Sequence, residues 1–459
     1  MSQRTQCEQA GQVQERLADA SVLLGLEGIA VREVVPDGFG VRWVHLVTDT
    51  DAAAACPGCG VISTSGKGSA TTRPRDLGYG PGPIRLVWHK RRWRCRQAAC
   101  GRATFTECLP VIPAGSRLTT RLRAECGAGI AGGFSCVSAA AGHYGVDWRI
   151  ANAAFIAHVE PFLQAPLPPV TVLGIDETRR GKPKWAQDPL THRWTVVADR
   201  WHTGIVDAAG TGGLLGHVEG RTAALVTKWL TQQPQAWRDG ISHVTIDLSA
   251  SYAKAVTDAL PAAVLVADRF HLVALANAMV TDVRQRVTRE ALGRRGRKAD
   301  PQWANRRRLL TGREHLSDRS FTRMWNQLAD AGDPGVQILL AYTVKEDLRR
   351  LLDLTGTNPD REVISHRLYT FYDQAAASRA PEVHRLAATI EAWWPAIEAG
   401  LITGYSNARS EGYNRLAKHQ GRNALGFRNV ANHRRRTRWA CTRQHRRATA
   451  KITQLPAQV

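Results

Sequence analysis

VTVLGID, residues 170–176, is the stretch on which the reading of the chain turns. It is a short apolar run ending in an acid, and it follows the stiff segment APLPP (165–169), which marks a domain boundary. A run of this length reads as a buried strand. Working outward, RWTVVAD (193–199) and GIVDAAG (204–210) have the same character and read as the next two strands. Residues 219–233 read as a helix, HVTIDLS (243–249) as a fourth strand, 251–260 as a helix and AVLVADRF (263–270) as a fifth strand.

Three hairpin-like strands followed by helix–strand–helix–strand is an RNase H-like order. The expected fold class is therefore multidomain α/β with a mixed-sheet core. From His271 to about Trp394 the pattern is almost wholly helical and very basic, with 13 Lys/Arg against 4 Asp/Glu between Arg284 and Arg323. This reads as a large helical insertion. Residues 405–420 read as the final helix, and 421–451 as a basic tail that frays from about 454.

Upstream, residues 1–21 are polar and read as a helix or an arm. Val31, Val34, Val41, Trp43 and Val47 flank the turn at Pro36-Asp37-Gly38 as a hairpin, and 83–94 alternates apolar and basic as a half-exposed strand. Each runs into a cysteine pair, Cys56/Cys59 and Cys95/Cys100. Two such knuckles supply four thiolates to one tetrahedral Zn²⁺, with Pro-Gly forming the first tight turn. The second spacing is wide, so His89 or Cys108 stands as a substitute ligand. Next, Ser116 reads as the cap of a helix over 118–130, followed by helices at 135–143 and 147–159 around Gly145. This is helix-turn-helix grammar, and it puts Trp148, Arg149 and Asn152 on the helix that would read base edges.

The 459 residues carry a net charge of +22, which points to a polyanion, nucleic acid first. No apolar run is long enough to span a membrane, and the N-terminus lacks the apolar core of a secretory signal, so a cytoplasmic, nucleoid-associated protein is expected. The nine cysteines then read as metal ligands or buried thiols. Asp176 and Asp247 end apolar strands, where an open α/β sheet binds ligands, and Glu411 sits on a helix. Carboxylates converging from remote segments imply divalent cations, Mg²⁺ or Mn²⁺, and two such ions suit phosphodiester chemistry. Alone, Glu411 reads as a surface partner of Arg415, and Glu177, Asp199, Asp207 and Asp268 compete for the site.

The chain resembles the transposases of the ISL-three group of bacterial insertion sequences over about residues 24–440. The resemblance is carried by ACPGCG (55–60), RRWRCRQAACGRATFTE (91–107), LGIDE (173–177), TIDLSASYAKAV (245–256), VADRFHLV (266–273) and, most specifically, GYSNARSEGYNRLAKHQGRNALGFRNVANHRRR (404–436). It implies a zinc finger, a helix-turn-helix and an RNase H-like nuclease core. It makes Asp176, Asp247 and Glu411 a DDE triad holding Mg²⁺, with Asp268 the rival for second place and His271 near the site. The implied activity is binding of terminal inverted repeats, metal-dependent cleavage freeing a 3′-hydroxyl, and transfer of that end to target DNA. No Ser or Tyr nucleophile is needed. Arg415, Lys418, Arg422 and Arg428, with the Arg-rich 284–323, would contact phosphates. A homodimer or larger assembly on double-stranded DNA is expected. The alternative is a domesticated, inactive DNA-binding regulator. The expected domains are 1–112 (zinc module), 113–165 (helix-turn-helix), 166–280 (core, first part), 281–400 (insertion), 401–440 (core, last part) and 441–459 (basic tail).

Overall fold

The computed structural model describes residues 3–80 and 82–453, with side chains described for 14–80 and 82–442. The expected fraying from 454 lies outside the described residues. The chain divides after Gln164 into two compact units.

The first unit opens with helix α1 (Gln3–Leu24) and strands β1 (Ile29–Pro36), β2 (Arg42–Thr48), β3 (Gly66–Thr72), β4 (Ile84–Arg94) and β5 (Thr104–Thr106). The sheet order is β1-β2-β4-β3, with β5 on β4. Asp37 makes the first hairpin turn because its Oδ1 accepts from the N–H groups of both Phe39 and Val41. Leu46 and Trp88 are fully buried in the core beneath. Three helices follow, α2 (Thr120–Gly132), α3 (Val137–His143) and α4 (Trp148–Gln164). The cap of α2 is Thr119, not Ser116: Thr119 accepts from Leu122 N–H, while Ser116 Oγ is engaged by the backbone of Leu118. Gly127 lets α2 and α4 approach, since a Cβ there would lie 2.5 Å from the Ala154 carbonyl oxygen.

The second unit is built on strands β6 (Val172–Arg179), β7 (Lys184–Gln187), β8 (Trp194–Ala198), β9 (Trp201–Asp207), β10 (Leu214–Glu219), β11 (His243–Ile246) and β12 (Val264–Ala267). Five of them form one sheet in the order β10-β9-β6-β11-β12. The β6–β9 and β9–β10 pairs are antiparallel, and β6, β11 and β12 are parallel. RWTVVAD is not in this sheet. It forms β8, which pairs with β7 in a separate ribbon whose Trp194 and Val197 are exposed. The place expected for it is taken by β9, and the third strand is β10, in a glycine-rich stretch that carries no strand signal. Gly216 is required there because a Cβ would lie 2.5 Å from the Trp229 ring.

Helices α5 (Ala223–Thr231), α6 (Gln235–Asp239) and α7 (Ala250–Ala259) follow, and Leu173, Ile175, Val244 and Ile246 pack against α5 and α7 on one face. A helical body comes next: α8 (Arg269–Leu292), α9 (Pro301–Ala304), α10 (Asp318–Ala329), α11 (Asp333–Leu352), α12 (Arg361–Ala377), α13 (Pro381–Ala392) and α14 (Trp394–Thr403), with its own buried core. The chain then returns to the opposite face of the sheet as α15 (Ala408–Asn423) and α16 (Val430–Thr453). The helix expected at 405–420 is therefore not the last. Much of the stretch read as a basic tail is helix α16, which runs unbroken across 440–441 and packs on β10.

Candidate active site and zinc centre

Four thiols meet in the first unit. Cys56 Sγ lies 3.9 Å from Cys100 Sγ, and Cys59 Sγ 3.7 Å from Cys95 Sγ. A tetrahedral Zn²⁺ with bonds of about 2.3 Å needs sulfurs roughly 3.8 Å apart, so the four residues fit this ion. Among the described residues they are the one group of three or more metal-ligating atoms within 4.8 Å of one another. The backbone N–H groups of Gly58 and Cys59 aim at Cys56 and pull its thiol down to about 7. Gly58 sits inside the knuckle, where a Cβ would come 3.2 Å from Cys100 Sγ. His89 and Cys108 are not in the group. His89 instead stacks on His45 across β2 and β4, its Nε2 2.9 Å from His45 Nδ1.

The carboxylates of the second unit gather where β6, β11 and β12 lie side by side. Ile246 pairs with both Ile175 and Ala267. Asp176, Asp247 and Asp268 therefore stand in register, one position past those pairs. The first two project to the face opposite Ile175 and Ile246, because strand residues alternate. That is the face covered by α15. Gly174 makes the approach possible: a Cβ there would lie 2.6 Å from Ser410 Oγ and 2.8 Å from Asn407 Oδ1. Asn407 Nδ2 donates to the Ile175 carbonyl at 3.1 Å, and Asn414 Nδ2 donates to Asp176 Oδ2 at 2.8 Å. Residues i, i+4 and i+7 share a helix face, so Glu411 lies on the same face of α15 as the two asparagines.

Burial, reinforced by the Asp247 charge, pushes the Asp176 carboxyl up to about 6 despite the Glu177 N–H it accepts. Burial also raises Asp247, whose buried Oδ1 has no hydrogen-bond partner. The competing acids have other duties. Glu177 accepts from Tyr252 and pairs with Arg221; Asp199 pairs with Arg179 and Arg221; Asp207 accepts from the Gly210 and Gly212 N–H groups. Asp268 Oδ2 lies 3.2 Å from His271 Nδ1, and this bond, with the Asp247 and Asp176 charges, raises the imidazole. Glu411 makes no ion pair with Arg415 among the described residues. Nor do Asp176, Asp247 and Glu411 close into a cluster as tight as the cysteines. Sequence reasoning missed Asn407 and Asn414, and a polar residue on a helix offers no signal to find them by.

Beside α15 lies a groove of about 660 Å³ lined by Lys418, Arg422 and Arg428, joined by Arg179, Arg180 and Arg200, which sequence reasoning did not single out. Arg415 is exposed on the same helix but does not line this groove. In the first unit, Trp148 and Arg149 are exposed and Asn152 half-buried, all on the first turns of α4.

A transposase family model of the ISL3 DDE type matches residues 173–437, and a model described as the zinc-finger of the transposases IS204/IS1001/IS1096/IS1165 matches residues 52–100. Together they define the class, a transposase with a zinc finger. Within that class, the chain belongs to the ISL3 family of DDE transposases. It is 26% identical over 416 residues to the transposase for insertion sequence element IS1001 of Bordetella parapertussis, covering 88% of this chain and 93% of that relative. It is 30% identical over 209 residues to the transposase for IS1557 of Mycobacterium tuberculosis, covering 41% of this chain and 45% of that relative. The solved Drosophila P element transposase strand transfer complex is similar over 60% of this chain and 76% of that chain, with 10% identity and a TM-score of 0.32.

Proposed function

We propose that this transposase cuts and joins DNA at Asp176, Asp247 and Glu411, on an RNase H-like sheet. One observation carries the reading: Asn407 and Asn414 strap the Glu411 helix to the strand bearing Asp176, next to Asp247. The orphaned Asp247 oxygen and an all-carboxylate donor set suit a hard cation such as Mg²⁺ or Mn²⁺. When bound, two such ions supply Lewis-acid activation of the attacking and leaving oxygens of a phosphodiester. The protein's own part is positional. Asn414 orients the Asp176 carboxylate, and Asn407 fixes the start of α15 through Ile175 and Thr245. The Asp268–His271 hydrogen bond lies beside the acids, and it raises the imidazole.

In this reading DNA is the partner. Helices α2–α4 act as a helix-turn-helix on the terminal inverted repeats, with Trp148, Arg149 and Asn152 at the bases. Lys418, Arg422, Arg428 and Arg415 neutralise phosphates. Two element ends call for a dimer or larger assembly, working at the nucleoid. No described helix is long and apolar enough to cross a membrane. The test is cleavage of labelled duplex carrying the element's ends, with and without Mg²⁺, in wild type and Glu411→Ala. Metal-dependent nicking lost in the variant, with end binding kept, is expected. Sequence-specific binding without cleavage under any metal would favour the inactive regulator.

A further inference from the structure

Five guanidinium groups of the helical body are held by carboxylates. Arg286 pairs with Glu382 and Glu290, Arg294 with Asp300, Arg313 with Asp318, Arg349 with Glu314 and Arg350 with Asp347. Three others are not. Among the described residues, the side chains of Arg284, Arg289 and Arg295 have no carboxylate partner, yet all three line one cavity of about 260 Å³. Arg284 is half-buried, and burial together with the neighbouring Arg306 charge lowers its pKa. A partly desolvated cation facing like charges is unfavourable unless an anion joins it.

The rest of the lining narrows the chemistry. Trp303 of α9 and Gln285 of α8 share the cavity with the arginines. The Arg306 guanidinium stacks 3.5 Å from the centre of the Trp303 ring and donates to the Trp303 carbonyl. Backbone pressed against the indole also holds it in place, since a Cβ on Gly296 would lie 2.9 Å from Trp303 Cβ and 3.3 Å from Thr288 Cγ2. A fixed indole beside unpaired guanidiniums suits a π-face joined to a phosphate. We propose that this cavity is a nucleotide site that takes one unpaired nucleotide of the DNA, its phosphate against Arg284, Arg289 and Arg295 and its base on Trp303. A paired base has its faces stacked and its edge occupied, and the cavity is too small for duplex. This proposal rests on the reading of DNA as partner, and it adds a preference which phosphate contacts alone do not give.

The test uses the full chain without Mg²⁺ and two fluorescent duplexes of the element end, one fully paired and one with three unpaired nucleotides. Wild type is expected to bind the second roughly tenfold more tightly. Trp303→Ala should bring the two within about twofold while leaving the paired duplex unchanged, and Trp303→Phe should keep most of the preference. Thermal melts of both variants check that the fold is kept. Equal binding of the two duplexes by wild type, or an equal loss on both in Trp303→Ala, would overturn the site while leaving duplex binding intact. No binding to either duplex would overturn the reading of DNA as partner as well. Saturable binding of free deoxyadenosine monophosphate, lost in Trp303→Ala and with no preference for unpaired DNA, would assign the pocket to a free nucleotide and overturn the DNA source.

Discussion

Burial holds the Asp176 carboxyl at about 6, against an ordinary value of 3.8, with the Asp247 charge adding to the effect. The folded chain therefore binds more protons than the unfolded one between about pH 4 and 6, and stability falls as pH rises through that window. At 1.36 kcal/mol per unit the cost at neutral pH is roughly 3 kcal/mol. Asp176→Asn should thus raise the melting temperature in Mg²⁺-free buffer at pH 7.5 and not at pH 4, while abolishing cleavage; melts at the two pH values check it. Gly174 acts through space alone. Gly174→Ala should push α15 off the sheet, cost about 1–3 kcal/mol and lower cleavage at least tenfold with end binding kept, read by paired binding and nicking assays. Unchanged cleavage would show that α15 need not sit where Gly174 allows.

The docking of α16 is held by three buried imidazoles, His202 of β9, His217 of β10 and His433 of α16, whose ring centres lie 4.5–5.9 Å apart. Burial, then neighbouring positive groups, pushes His202 down to about 3 and His433 to about 4. Unfolded histidines take protons below about 6.5 while these stay neutral, so stability is lost as pH falls from there toward 4. His433→Phe should remove up to roughly 3 kcal/mol of that loss at pH 4 and change little at pH 8, as denaturant titrations would report. In the first unit, Cys59→Ser should release zinc and loosen the β-module, measured by elemental analysis and limited proteolysis; a metal-free wild type would refute the centre. Elements differ in how far their sequence gives them away. The cysteine pairs are legible because thiols at that spacing have few other uses. Asp176 and Asp247 are legible as acids ending apolar runs. Strand β10 is not, because Gly216 serves the Trp229 ring and erases the strand pattern. Strand β8 misleads the other way, carrying Trp194 and Val197 on an exposed ribbon. Asn407 and Asn414 look like surface residues until folding sets them against a strand more than 230 positions away.

Across the whole molecule, a net charge of +22 makes DNA affinity a function of salt. Lys418→Ala and Arg422→Ala, on the groove beside α15, should each weaken binding uniformly across sequences and reduce the salt slope by about 1. A change confined to one base pair would make either residue a base reader instead. The two units rest on different chemistry, thiols in one and carboxylates in the other. The second draws on the more distant parts of the chain, since the cysteine pairs of the first lie only 44 positions apart. Glu411 follows Asp247 by 164 positions, and Asn407 must find Ile175 across 232. At about 5–20 residues per second, a ribosome takes roughly 8–33 seconds to travel from Asp247 to Glu411. On the proposed function, the finger and the three-helix segment are already made throughout that interval and free to engage DNA, while the proposed cutting centre still lacks Glu411. On that reading a growing chain would hold its target before it could harm it, and a product halted by a premature stop codon in the helical body would occupy element ends and restrain the intact enzyme.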